Sequence, residues 1–233
     1  MLNNKTLGLA LTTYNRADKI ISFLKQYETY SELDEIVITD DCSDDYNELI
    51  KEPWNSKVKI YNNEFNLQAY QNKLKTLQQI KSNWCILFDS DNFFTRDYIA
   101  ALIYEDIKHG LDENIIYCPS AALPQFIYRH LNDITIDTAL WNEKHETEGC
   151  FFNTGNMLLS QKAISCLLKN FENDSIKNPY VECKYMSYIF IKNNFKIKIV
   201  PNLEYNHAIS HDSFYILNSH KHTEFDRTFN WFL

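Results

Sequence analysis

Through the first half of the chain, short apolar runs alternate with stretches whose apolar residues recur at helical spacing. Leu7 to Thr13 is short, apolar and ends in threonines, which predicts a strand. Ile20, Ile21, Phe23, Leu24 and Tyr27 then line one face of a predicted helix over 17–27. Strands are predicted at 36–39, 58–61, 84–88 and 115–119. Helices are predicted at 68–81, with Leu67, Tyr70, Leu74, Leu77 and Ile80 inward, and at 96–108. This alternation predicts an α/β protein with a largely parallel central sheet flanked by helices on both faces, because crossover connections must lie on the faces.

From residue 120 to 150 the pattern loosens into long loops with one short helix. It returns as a strand at 151–159 and as helices at 161–170 and 182–192. Residues 195–200 alternate apolar with basic side chains, the pattern of a half-exposed strand that ends at Pro201-Asn202. An aromatic tail with Phe214, Tyr215, Phe225, Phe229, Trp231 and Phe232 follows. We find no repeat, low-complexity segment or linker, so 1–233 reads as a single domain.

Composition narrows the function. A chain of 233 residues with 45% hydrophobic and 15% aromatic residues buries about three-quarters of its unfolded surface. Four glycines are too few for a glycine-rich phosphate loop. A net charge of -8 excludes a nucleic-acid surface, which needs a basic face, and simple electrostatic docking on anionic lipid. The six cysteines lack paired spacing and read as reduced thiols of a cytoplasmic protein. Met1-Leu2-Asn3-Asn4-Lys5 shows no signal-peptide pattern, and no apolar run approaches the ~18 residues of a membrane span.

Two acidic turns sit just past predicted strands, where open α/β sheets place their ligands. In Asp89-Ser90-Asp91 both carboxylates reach one divalent cation, or one reaches a cation and the other a sugar hydroxyl. A strand ending in an Asx turn gives the same residues. Asp40-Asp41-Cys42-Ser43-Asp44-Asp45 packs four carboxylates into six residues. They repel unless a helix N-terminus, a cation or hydrogen-bond donors compensate, and a solvated acidic loop is the alternative.

Taken in order, these motifs resemble the family 2 glycosyltransferases, nucleotide-sugar transferases of the GT-A fold, over nearly the whole chain to about His211. Leu9-Ala10-Leu11-Thr12-Thr13-Tyr14-Asn15-Arg16 resembles the opening strand and nucleotide loop, and the Asp40 turn the second-strand signature. Asn66-Leu67 with Lys73 resembles an Asn-x-Gly…Arg helix start, with Gln68 in place of the glycine and Lys73 of the arginine. Asp89-Ser90-Asp91 matches the Asp-x-Asp element, and Thr154-Gly155-Asn156-Met157 the acceptor-side strand. Val181-Glu182-Cys183-Lys184-Tyr185-Met186 aligns with Gly-Glu-Asp-x-x-Leu, with Cys183 in place of the aspartate.

The resemblance implies residues 1–118 as a nucleotide-binding half, 119–212 as an acceptor half and 213–233 as a helical tail. It also implies a metal-dependent, inverting transfer from a nucleotide-diphosphate sugar, with a UDP-sugar favoured, to a glycan or lipid-linked glycan. A divalent cation, Mn²⁺ or Mg²⁺, would offset charge on the leaving diphosphate, and a carboxylate would take the acceptor proton. By the same resemblance Asp91 holds the metal, Asp89 the ribose or the metal's outer shell, and Asp41 or Asp40 the base. Tyr14 would stack on the base, with Thr12 and Arg16 lining the pocket and Lys73 near the phosphates. Glu182 is the expected general base, with Asp174 or Glu148 as alternatives. His207, or His211 four residues on, would complete the metal shell, whereas His220 and His222 read as surface residues. Tyr128 and Trp141 offer an aromatic platform for a sugar ring. The tail leaves open a homo-oligomer or a peripheral membrane contact. A nucleotidyltransferase and a non-catalytic nucleotide- or carbohydrate-binding module are the competing readings.

Overall fold

The computed structural model describes residues 2, 5–145, 156–208 and 218–233. Among these residues nine strands form one sheet: β1 (Leu7–Thr13), β2 (Glu35–Asp40), β3 (Val58–Asn62), β4 (Trp84–Asp89), β5 (Ile115–Leu123), β6 (Phe126–Ile127), β7 (Thr135–Ile136), β8 (Met157–Ser160) and β9 (Lys196–Asn206). The helices are α1 (Ala17–Tyr27), α2 (Tyr46–Lys51), α3 (Gln68–Gln79), α4 (Arg96–His109), α5 (Thr138–Lys144), α6 (Gln161–Asn173), α7 (Glu182–Lys192) and α8 (Ser219–Thr228). The sheet order is β3-β2-β1-β4-β8-β5-β9-β7, with β6 on β5. Strands β3, β2, β1 and β4 are parallel, as are β5 and β9, while β8 runs antiparallel between β4 and β5.

The central strands read as continuous apolar runs because both faces of the sheet are covered, and their period of two divides them between two cores. Leu9, Leu11, Ile36, Ile38, Trp84, Ile86 and Phe88 pack on one side with Ile20, Leu24 and Tyr98 from α1 and α4. Ala10, Val37, Cys85 and Leu87 face the other side, against Tyr70, Leu74, Leu77, Leu167 and Tyr185 of α3, α6 and α7. Burying each such side chain contributes about 1.5–3 kcal/mol, so a one-residue slip of β1 or β4 would exchange the two faces and is strongly disfavoured.

Three expectations need correction. Helix α2 follows the acidic turn and is absent from the sequence reading, since its six residues are too few for a clear apolar period. Strand β9 does not end at Pro201-Asn202. The pairing with β5 shifts there, Pro119 opposing Val200 and Ala121 opposing Glu204, with Asn202 at a φ of 61°. Two extra residues are absorbed as a bulge, which tolerates a proline that a regular ladder would not. The first residues of β9 do alternate as expected, exposed Lys196 and half-buried Lys198 with buried Ile197 and Ile199, and Lys198 reaches the buried Glu105 at 2.6 Å. Lastly, Trp141 is fully buried and donates through Nε1 to the carbonyl of Trp231, so it cannot present a face to a sugar. Half-buried Tyr128 packs against the same core. The described part of the tail closes this core, with Phe225, Phe229 and Trp231 around Tyr185 and Tyr188. No helix among the described residues is long and apolar enough to cross a membrane.

Candidate active site

The order β3-β2-β1-β4 reverses direction at β1, so the loops after β1 and β4 diverge and leave a crevice at their carboxyl ends. Register brings the predicted residues level there: Thr12 pairs with Asp89 and Thr13 with Asp40. Asn15, at a φ of 50°, turns the chain after β1. Its backbone N–H donates to Ser43 Oγ at 2.8 Å, and its Oδ1 accepts from the backbone of Asp44 at 2.9 Å. Asp45 Oδ2 accepts from the Ala17 backbone at 2.8 Å, at the start of α1. The loop after β1 and the acidic turn are thus stapled together, while Tyr14 keeps 49% of its surface exposed.

Hydrogen-bond donors relieve the repulsion within the acidic turn. Asp40 is buried and accepts from Ser43 through the backbone at 2.8 Å and the hydroxyl at 2.6 Å. Asp41 Oδ1 accepts from Asn63 Nδ2 at 2.9 Å and from the Leu67 backbone at 2.8 Å. Burial raises the pKa of both carboxyls, and these donors pull it back. Gln68 opens α3 at a φ of 68°, left-handed backbone in which a Cβ is strained. That is a physical reason for glycine in the Asn-x-Gly pattern.

Across the crevice, Asp91 Oδ2 lies 2.8 Å from Arg16 Nη1. Asp89 points to Lys73, whose Nζ is 2.9 Å from Asp89 Oδ1 and 3.4 Å from Glu182 Oε1. Lys73, expected near phosphates, is buried between these carboxylates with 2% of its side chain exposed. Burial, with Asp91 nearby, pushes Asp89 above the usual carboxylate range against the pull of Lys73. Glu182 is the first residue of α7, where the helix dipole favours a negative charge. The Cys183 thiol donates to Glu182 Oε1 at 3.5 Å, and burial raises its pKa so that it stays protonated. Asp174, the alternative base, accepts from Tyr185 Oη and from the Ile176 backbone. Glu148 and His211 lie outside the described residues.

His207 follows β9 and is fixed by its backbone N–H, which donates to Leu123 O at 2.8 Å, and by ring contacts with Phe126 and Tyr205. Burial lowers its pKa, and Asp91 is near enough to raise it in part. Its Nδ1 is buried and has no hydrogen-bond partner among the described residues. A buried imidazole nitrogen without a partner, on a ring close enough to Asp91 to feel its charge, suits Mn²⁺. Thr13 Oγ1, Asn92 Nδ2 and Asn156 Nδ2 are likewise buried without partners near these strand ends, as expected where a polar ligand completes the bonding.

Among the described residues, the group of three close potential ligands is elsewhere, at Glu105, His109 and Asp133 at the far end of α4. Lys198 lies 2.6 Å from Glu105 and 3.6 Å from Asp133, so an ammonium already supplies the positive charge there.

Three contributors escaped the sequence reading. Asn156 Oδ1 accepts from the Asp89 backbone at 2.8 Å, and Asn92 Oδ1 from the Ala208 backbone at 3.2 Å, tying β4 to the β8 and β9 sides. His222, read as a surface residue, is buried on α8, and its pKa is lowered by burial and raised in part by Glu182. Asn156 lies within a motif that says nothing of its contact with β4, Asn92 carries no local signal, and the polar period of α8 hides the burial of its histidine.

The family model for glycosyl transferase family 2 matches residues 9–167. No curated protein matches the chain significantly. Among solved structures, the mannosyltransferase PcManGT from Pyrobaculum calidifontis, in complex with GDP-Man and Mn²⁺, superposes with a TM-score of 0.63 at 13% identity. That match covers 92% of this chain and 60% of the neighbour. TarS 1–349 from S. aureus gives 0.66 at 16%, over 94% and 65%. GalNAc-T7 with UDP, GalNAc and Mn²⁺ gives 0.61 at 17%, over 89% and 44%. The chain therefore spans less than two thirds of these neighbours, and at such identities the likeness is one of fold, the GT-A fold.

Proposed function

Because the chain belongs to glycosyl transferase family 2, we propose that it moves a sugar from a UDP-sugar to a hydroxyl of a glycan or lipid-linked glycan, with inversion and with a divalent cation. One observation carries this: Asp89 from β4 and Glu182 from α7 share the Lys73 ammonium, so a donor-side and an acceptor-side carboxylate meet in one crevice. In the neighbours PcManGT and GalNAc-T7, nucleotide or nucleotide-sugar and Mn²⁺ are bound together.

The residues then divide the work. Tyr14 offers an exposed ring to the base, whose polar edge would meet the Asp41 or Asp40 turn beside Thr12. Asp89 receives the ribose, and Arg16, held 2.8 Å from Asp91, lines the pocket with Thr12. Asp91 and His207, with His211 as the other candidate, would hold Mn²⁺ or Mg²⁺. When bound, the cation acts as a Lewis acid on the diphosphate oxygens. Glu182 takes the acceptor proton as general base, worth typically 10²–10⁴ in rate. Attack by the deprotonated hydroxyl opposite the leaving diphosphate inverts the anomeric carbon. The five described cysteines are free, which supports action in the cytoplasm; polysaccharide biosynthesis is what the family resemblance implies.

A thermal-shift panel of UDP-, GDP-, CDP- and dTDP-sugars with and without Mn²⁺ tests this. A UDP-sugar with Mn²⁺ should give the largest shift, and the Mn²⁺ increment should vanish in Asp91→Ala. An equal shift with and without Mn²⁺ removes the metal role. Bound donor that is neither hydrolysed nor transferred points to a binding module instead.

A further inference from the structure

The family 2 pattern has an arginine where this chain has Lys73, and an aspartate where it has Cys183. The two substituted positions meet: Lys73 Nζ lies 4.0 Å from Cys183 Sγ and contacts Asp89 and Glu182. An ammonium has three protons. Here two carboxylates and a sulfur surround it, and almost none of the side chain is exposed. No face remains for a diphosphate. Glu182 Oε1, in turn, accepts from both Lys73 and the Cys183 thiol. Two donors from different helices converge on one oxygen, which fixes the rotamer of the carboxylate. An aspartate at 183 would bring a third acid to this ammonium, whereas the thiol supplies a donor.

We propose that Lys73 is a positioning residue of the transfer reaction: it bridges Asp89 to Glu182, and with Cys183 it aims the base, without touching the donor's phosphates. This rests on the reading of Glu182 as the base. The ammonium also links the two halves of the site, since Asp89 belongs to the donor side and Glu182 to the acceptor side. The groups facing Glu182 are Lys73 from α3, Cys183 beside it on α7, Asp89 through the shared ammonium, and His222 from α8.

The test compares wild type, K73R, K73M, E182Q and K73M/E182Q as full chains. Affinities for UDP and UMP in Mn²⁺ are measured by calorimetry, and turnover by hydrolysis of UDP-GlcNAc. K73M should lower kcat by about a hundredfold at near-constant KM, with K73R recovering most of the loss. The UDP-to-UMP affinity ratio should change less than threefold. In the E182Q background K73M should add less than about threefold. A tenfold fall in that ratio returns Lys73 to the diphosphate and overturns the proposal, as do multiplicative effects of the two substitutions. Wild-type turnover by E182Q instead sinks the base reading. Urea unfolding provides an arm independent of any donor. The double variant should unfold at a higher midpoint than the two single losses combined predict, since the bridge is removed whole. Additive midpoints overturn the proposal.

Discussion

The Arg16 guanidinium and the Asp91 carboxylate meet at 2.8 Å across the crevice, with 18% and 15% of their side chains exposed. Arg16 comes from the loop after β1 and Asp91 from the loop after β4, so the pair closes the mouth of the switch point. A cation binding Asp91 competes with this guanidinium. Arg16→Met should therefore raise the affinity for Mn²⁺ alone by roughly fivefold, as expected for a pair worth about 1 kcal/mol. The same change should weaken UDP. Calorimetry with Mn²⁺ alone decides, and an unchanged or weaker Mn²⁺ affinity removes Asp91 as the competed ligand.

Glu182→Gln keeps the size of the side chain and an oxygen for Lys73 and Cys183. Transfer should fall by about 10²–10⁴, with UDP affinity within a few-fold of wild type. The matched measurement is single-turnover transfer with donor saturating. A rate within threefold of wild type takes Glu182 out of the chemistry.

His207 sets a pH dependence whose sign follows from burial, which lowers its pKa despite Asp91. Below the ordinary value of about 6.5, the unfolded chain binds a proton that the folded chain refuses. Stability is therefore full above that value and is lost as pH falls towards the lowered one. His207→Gln should flatten this part of the curve in urea titrations at pH 7.5, 6.0 and 5.0. The neutral ring also stays available to a metal at pH 7. Identical pH slopes for the two proteins would refute the assignment.

Gln68, at a φ of 68°, is where glycine relieves strain. Gln68→Gly should stabilise the fold by about 0.5–1 kcal/mol, the left-handed penalty less the extra chain entropy of glycine. That corresponds to a rise in Tm of roughly 1–4 °C for a chain of this size. Donor affinity should not change, and a fall in Tm would show that the side chain holds the turn in another way.

Much of the molecule was legible in the chain. Strands β1 and β4 and helices α1 and α3 follow from period and apolar run, because burial on both faces of a parallel sheet leaves continuous apolar strands. Asp89, Asp91 and the Asp40 turn could be picked out because carboxylates abruptly end those runs. These signals are local, a few residues long, and set by residue type.

What only the tertiary structure decided was which residues meet. Lys73 and Glu182 lie 109 positions apart, and nothing in either neighbourhood encodes their contact. Periodicity gives a residue its face but not the order of strands in the sheet, and that order brings α3 against α7. The burial of Trp141 and His222 is of the same kind, since each is covered by a segment distant in sequence. The chain alone determined the chemistry present at the strand ends. The packing of α3, α7 and α8 around them determined that Lys73, expected at the phosphates, is held between two carboxylates.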